Sequence, residues 1–120
     1  MLLARPVRRI EVAGESMLPA LRPGDRLLVV QNMRMRVGDV VALRDPRRPR
    51  RTLVKRVAAL PGGAVTVAGE VLRAGDGYVV LGDNLHASTD SRSFGAVPRR
   101  LLLGRCVHRY WPEAARVDGP

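Results

Sequence analysis

Three stretches of the chain carry residue types that could do chemistry together. The first is Gly14-Glu15-Ser16-Met17-Leu18-Pro19-Ala20-Leu21-Arg22-Pro23-Gly24-Asp25, which holds a serine in a bend just before the apolar run Leu27–Val30. Two prolines and two glycines fix the backbone path there. On this stretch alone Ser16 reads first as a turn residue bonded to its own backbone, and only second as a nucleophile held outside regular structure. The second stretch is Leu53-Val54-Lys55-Arg56-Val57-Ala58. In a strand, Leu53, Lys55 and Val57 share one face. If that face is interior, the ammonium is desolvated and its pKa falls. A fall from about 10.4 to near 7 corresponds to roughly 4–5 kcal/mol. A neutral lysine beside a serine hydroxyl is a general base that needs no histidine. The third stretch is the polar segment Gly82-Asp83-Asn84 through Ser88-Thr89-Asp90-Ser91-Arg92 to Val97. It offers carboxylates and hydroxyls that could orient a lysine and pair with arginines. His86 lies in the same segment without a placed partner, so a Ser-His-Asp arrangement ranks below the lysine.

One count singles out Lys55. Of 21 basic residues it is the only lysine; the other 20 are arginine. Chance explains this, as does an edge-strand surface position. So does a task arginine cannot perform, since its guanidinium does not deprotonate.

The elements that must position these residues are strands. Apolar runs of four to seven residues recur between Gly, Pro and Asp signals. The pattern predicts strands over Val7–Val12, Arg26–Val30, Val40–Leu43, Thr52–Leu60, Ala64–Val67, Val71–Arg73, Tyr78–Leu81 and Leu103–Tyr110. Arg22-Pro23-Gly24-Asp25 suits a turn with Pro and Gly at its centre. One helical turn is expected after Ser16 and another through Pro98–Leu102. The fold class is therefore all-β, a small rolled sheet or barrel with a few short helical turns. At 120 residues it is a single domain, 1–120, with residues 1–6 and 113–120 frayed.

Composition narrows the function classes. The single cysteine, Cys106, sits in a strand-like run and reads as a buried structural thiol. With His86 and His108 far apart, no metal-ligand cluster is visible, and neither metal nor other cofactor is expected. No apolar run approaches the ~20 residues of a membrane span. Arg5 cuts off Met1-Leu2-Leu3-Ala4, leaving no signal-peptide core. The expected location is cytoplasmic, with a peripheral membrane contact as the variant. The net charge of +10 suggests contact with an anionic surface. Tyr78, Phe94, Tyr110 and Trp111 are too few to form a base-stacking platform, and no DNA-binding pattern appears. Specific nucleic-acid binding is not expected. The run Arg47-Arg48-Pro49-Arg50-Arg51 reads as a solvated hairpin tip.

In this order the motifs resemble the signal peptidase I family of Ser/Lys-dyad serine proteases. Ser16-Met17-x-Pro19 resembles its nucleophile box, and Gly24-Asp25 with the following strand its next box. Lys55-Arg56-Val57-x-x-Leu60-Pro61-Gly62 resembles the lysine box. Gly82-Asp83-Asn84 through Ser88-x-Asp90-Ser91-Arg92-x-x-Gly95-x-Val97 resembles the last. The resemblance implies Ser16 as nucleophile and Lys55 as general base, with Ser88 orienting the lysine. It implies the pairs Arg56–Asp83 and Asp90–Arg92 as supports, the Ser16 N–H at the oxyanion, and Met17 and Pro19 at the substrate. The partner it implies is a protein precursor with an N-terminal leader.

Departures from the family pattern bear on the substrate. Gly14 stands where some members have a serine donor, Ala20 where threonine is frequent, and Gly63 where aspartate is frequent. The family's anchoring segment and large insertion are also missing from this sequence. The compact, arginine-rich form resembles the small peptidases that mature nickel-type superoxide dismutase, and leader removal from such a precursor is the expected function. The alternatives are secretory signal-peptide cleavage at a membrane, a self-cleaving regulator of the SOS-repressor type, and a non-catalytic binding module.

Overall fold

The computed structural model describes residues 6–119. The N-terminal residues 1–5, expected to fray and to lack a signal-peptide core, lie outside the described residues.

The described residues form nine strands: β1 (Val7–Glu11), β2 (Arg26–Val30), β3 (Val40–Asp45), β4 (Arg48–Ala59), β5 (Ala64–Val67), β6 (Glu70–Arg73), β7 (Val79–Leu81), β8 (Leu102–Trp111) and β9 (Ala115–Arg116). The all-β expectation holds. The main sheet runs β1-β2-β8-β3-β4-β7, with β9 added on β8, and β5-β6 form a separate hairpin. Every pairing is antiparallel. Register shifts interrupt four of them. Such irregularities bend strands, and they roll this sheet without pairing β1 to β7.

The roll explains why β3 is apolar at four consecutive positions instead of alternating. Val40 and Ala42 belong to one core cluster, with Met17, Leu27, Val29 and Cys106. Val41 and Leu43 belong to another, with Val57, Tyr78, Val80 and Val97. A strand buried on both faces loses its polar alternation. Cys106 is buried, and burial pushes its thiol up to about 12.

The helical expectations hold in position. After Ser16 the chain makes one turn closed by Leu21 N–H donating to Met17 O at 2.9 Å, and a 3₁₀ turn spans Arg99–Leu101. Gly24 takes φ +91°, as the second central residue of the Pro-Gly turn requires. Two elements depart from expectation. The polar segment after β7 contains a 3₁₀ turn, Leu85–Ala87, and a short helix, α1 (Ser91–Phe94). The tail expected to fray from residue 113 instead forms β9 and buries Val117, which packs into the first cluster.

Candidate active site

β4 supplies Lys55. Its register sets Lys55 opposite Val41 and Leu53 opposite Leu43, and both partners are fully buried. Lys55 therefore lies on an apolar face, and the residue is only 3% exposed. Burial is the largest influence on it and pushes its pKa down; the Asp90 carboxylate opposes this, and Arg51 reinforces it. The amine donates to Ser88 Oγ at 3.1 Å.

The segment between β7 and α1 supplies Ser88 and Asp90. Ser88 Oγ in turn donates to Asp90 Oδ2 at 2.8 Å. Asp90 is wholly buried. Burial alone would raise its carboxyl, but the Arg92 side chain, the Gly82 N–H and the Ser88 hydroxyl hold it below the ordinary carboxylate range. Arg92 Nε lies 2.9 Å from Asp90 Oδ1, and Arg92 Nη2 also donates to the carbonyls of Leu85 and Ser88. Asp90 is also the N-cap of α1, accepting from Arg92 N–H. One carboxylate thus starts the helix, holds the guanidinium and receives the hydroxyl that faces the lysine.

The bend between β1 and β2 supplies Ser16, which is half-buried. It is tied to the far segment through its carbonyl, which accepts from Asn84 N–H at 2.8 Å. Ser16 and Lys55 line the same cleft, of about 150 Å³, together with Gly14, Arg47, Arg51 and Thr89. Gly82 lies between these parts. A methyl there would overlap Ser88 Oγ and sit 2.7 Å from the Ser16 carbonyl oxygen.

Arg56, on the opposite face of β4 from Lys55, grips Asp83 through Nε and Nη2, each at 2.8 Å. Its Nη1 donates to the carbonyls of Gly38 and Asp118. The bond to Asp83 raises its already high pKa. This guanidinium joins the β2–β3 connection, the last loop and the C-terminal tail behind the lysine.

Ser16, Lys55, Ser88, Asp90 and Arg92 are therefore brought together around one cleft or directly behind it, and Arg56 pairs with Asp83. The expectation that Met17 touches substrate does not fit its position. Met17 is 1% exposed and sits in the core with Val12 and Leu21, because the turn after Ser16 points it inward. Pro19 is exposed but does not line the cleft. His86 is exposed.

Sequence reading missed three contributors. Gly82 carries a positional signal only, a glycine between an apolar strand and Asp83. Asp45 is fully buried and held by Arg47 through three hydrogen bonds; burial would raise it, yet Arg47 holds it below the usual range. Its signal was a carboxylate closing an apolar strand. Arg51 lies four residues before Lys55 on the same strand, hence on the same face. Among the described residues no group of His, Cys, Asp and Glu could hold a metal ion.

The family model described as "Signal peptidase, peptidase S26" matches residues 1–77 and 73–111. The mitochondrial ATP-independent inner membrane protease subunit 1a of Arabidopsis thaliana is 39% identical over 116 residues, covering 84% of this chain and 68% of that protein. The mitochondrial inner membrane protease subunit 1 of Xenopus tropicalis is 38% identical over 111 residues, covering 83% and 66%. Signal peptidase I of Leptolyngbya laminosa is 32% identical over 136 residues, covering 84% and 67%. The chain thus spans about two-thirds of the length of these curated relatives.

These names overturn the cytoplasmic expectation. The Arabidopsis and Xenopus relatives are named for the mitochondrial inner membrane. The expectation came from the lack of a long apolar run. No helix among the described residues is long and apolar enough to cross a membrane, but that does not fix where a chain works.

Proposed function

Because the chain belongs to the signal peptidase, peptidase S26 family and is a signal peptidase I-like serine protease, we propose that Ser16 and Lys55 are its catalytic dyad and that it removes N-terminal leaders from protein precursors. The observation that carries this reading is the lysine. A buried lysine with a lowered pKa lines the same cleft as a half-buried serine in a fixed bend.

In the proposed cycle, neutral Lys55 takes the Ser16 hydroxyl proton as Oγ attacks the scissile carbonyl. The Ser16 N–H donates to the oxygen that becomes negative. The C–N bond breaks, and Lys55 returns the proton to the leaving amine. A water molecule then attacks the ester, again giving its proton to Lys55, and Ser16 recovers its hydrogen as the acid departs. Ser88 keeps Lys55 aimed, and Asp90 with Arg92 keeps Ser88 aimed.

The relatives are named as inner membrane proteases and a signal peptidase. They favour a substrate presented at a membrane over a nickel superoxide dismutase precursor. The test is digestion of a library of leader-containing peptides, read by mass spectrometry. Wild type should yield cleavage products, and Ser16→Ala and Lys55→Ala should yield none. Products that persist in Ser16→Ala would end this reading.

A further inference from the structure

A second cleft, of about 950 Å³, lies at the end of the roll away from Lys55. β4 runs from Lys55 in the first cleft towards Leu60 in the second, about 17 Å at roughly 3.3 Å per residue. The wall of the second cleft is chemically one-sided. Arg8 from β1, Arg34 from the β2–β3 connection, and Arg99 and Arg100 from the 3₁₀ turn before β8 all line it, and among the described residues no Asp or Glu does. The seven ion pairs of the described residues use other arginines throughout. Arg47, Arg56 and Arg92 each hold a carboxylate in the first cleft or behind it. Among the described residues the four cleft arginines hold none.

Met33, Met35 and Tyr78 form apolar parts of the wall, and Gln31 and Asn32 offer side-chain amides. Arginine, methionine and tyrosine enrichment with lysine and carboxylates absent is the composition of a protein-binding patch. Methionines adapt to irregular side chains, and amides can meet the backbone of an extended peptide.

We propose that this cleft binds an acidic segment of a partner protein, with glutamate or aspartate on the four arginines and interleaved apolar side chains on the methionines. Lys55 and Ser16 take no part in it.

The test is fluorescence anisotropy with a labelled twelve-residue peptide alternating glutamate and leucine, at about 0.1 M salt so that long-range attraction is screened. Wild type should bind it, and the same peptide with lysine for glutamate should not. Arg34→Glu/Arg99→Glu should weaken binding by about tenfold or more. Arg48→Glu/Arg50→Glu removes the same charge from an exposed hairpin and should change it by less than about twofold. In the wild-type protein, titration with the peptide should move the amide NMR signals of residues 31–35 and 99–103, a readout independent of how the variants fold. Equal losses in the two double variants would overturn the proposal, as would shifts confined to other residues. Binding to phosphatidylglycerol vesicles, abolished by Arg34→Glu/Arg99→Glu, with no binding of the acidic peptide, would overturn it in favour of a membrane contact.

Discussion

Lys55 donates to Ser88 at 3.1 Å across 33 residues of chain. The same hydroxyl passes its own hydrogen to Asp90. Ser88 is thus acceptor for the lysine and donor to a buried carboxylate at once, which leaves one orientation for both. Ser88→Ala should lower kcat by about 10–100-fold with little change in KM. The ammonium loses an acceptor that favours its charged form, so its pKa should fall further, and the acidic limb of the rate profile should move to lower pH. Ser88→Thr keeps the hydroxyl and should recover most of the rate. A rate unchanged in Ser88→Ala would remove this relay from the mechanism.

The rate profile of the wild type follows from the direction of the Lys55 shift. Desolvation lowers its pKa, so the neutral base accumulates as pH rises through a value below the ordinary lysine figure of about 10.4. kcat/KM should rise with pH over that range, and Lys55→Arg should be inactive throughout. Stability follows the same linkage. The folded state holds this proton less tightly than the unfolded chain, so folding gains stability as pH climbs from the folded pKa towards about 10.4. Lys55→Met should lack that gain and be more stable than wild type at neutral pH by about 1 kcal/mol, a rise in Tm of about 4 °C.

Gly82 tests how tightly the two halves of the site are pressed together. Its neighbours leave no room for a methyl, since Ser88 Oγ and the Ser16 carbonyl crowd the position. Gly82→Ala should cost about 1–3 kcal/mol of stability. It should reduce activity far more than that loss of folded protein explains, because the two residues forced apart are those that aim the dyad. Thermal melts beside single-turnover assays on the same sample separate the two effects.

Asp90 sets the acid limit of the fold. Its folded pKa lies below the unfolded value, so its contribution is present above about pH 4 and is lost as pH falls through the folded pKa. Asp90→Asn should lose about 1–3 kcal/mol at neutral pH, since the wholly buried position keeps the Gly82 N–H and Ser88 hydroxyl around it without the charge they donate to. It should also flatten the acid limb of a stability curve. Removing the carboxylate takes away the main influence that opposes Lys55 deprotonation, so any surviving activity should shift to lower pH. Urea midpoints at several pH values check both parts.

Much of this was legible in the residues. The eight strand runs fell within a few residues of the observed strands because turn residues bounded them. Lys55 stood out because a chain that otherwise uses arginine kept one lysine, on the side of a strand shared with Leu53 and Val57. What stayed hidden depended on distance in the sequence or on capping. α1 has an N-cap, Asp90, and a glycine after its end, Gly95, but at four residues it shows no apolar period. β4 begins at Arg48 instead of Thr52 because Asp45 pairs with Arg48 across a tight turn that Arg47 clamps; the stretch is the solvated hairpin tip that composition suggested, but composition did not show that it continues the strand. β9 is only two residues long and exists because β8 offers it an edge. Met17 read as a substrate contact because a motif fixes neighbours in sequence, while a turn decides which of them faces the core.

Arg51 gives a test of the electrostatics that leaves the hydrogen bonds alone. It is exposed, lines the dyad cleft and holds down the Lys55 pKa by charge. Arg51→Glu replaces a repulsive neighbour with an attractive one, so Lys55 should keep its proton to higher pH. Activity near neutrality should fall, the acidic limb should move up in pH, and the maximum rate at high pH should be nearly preserved. Because the side chain is solvated, the displacement should shrink as salt rises from about 0.05 M to about 0.5 M. A loss of rate that is equal at every pH and insensitive to salt would instead mean that Arg51 contacts the substrate.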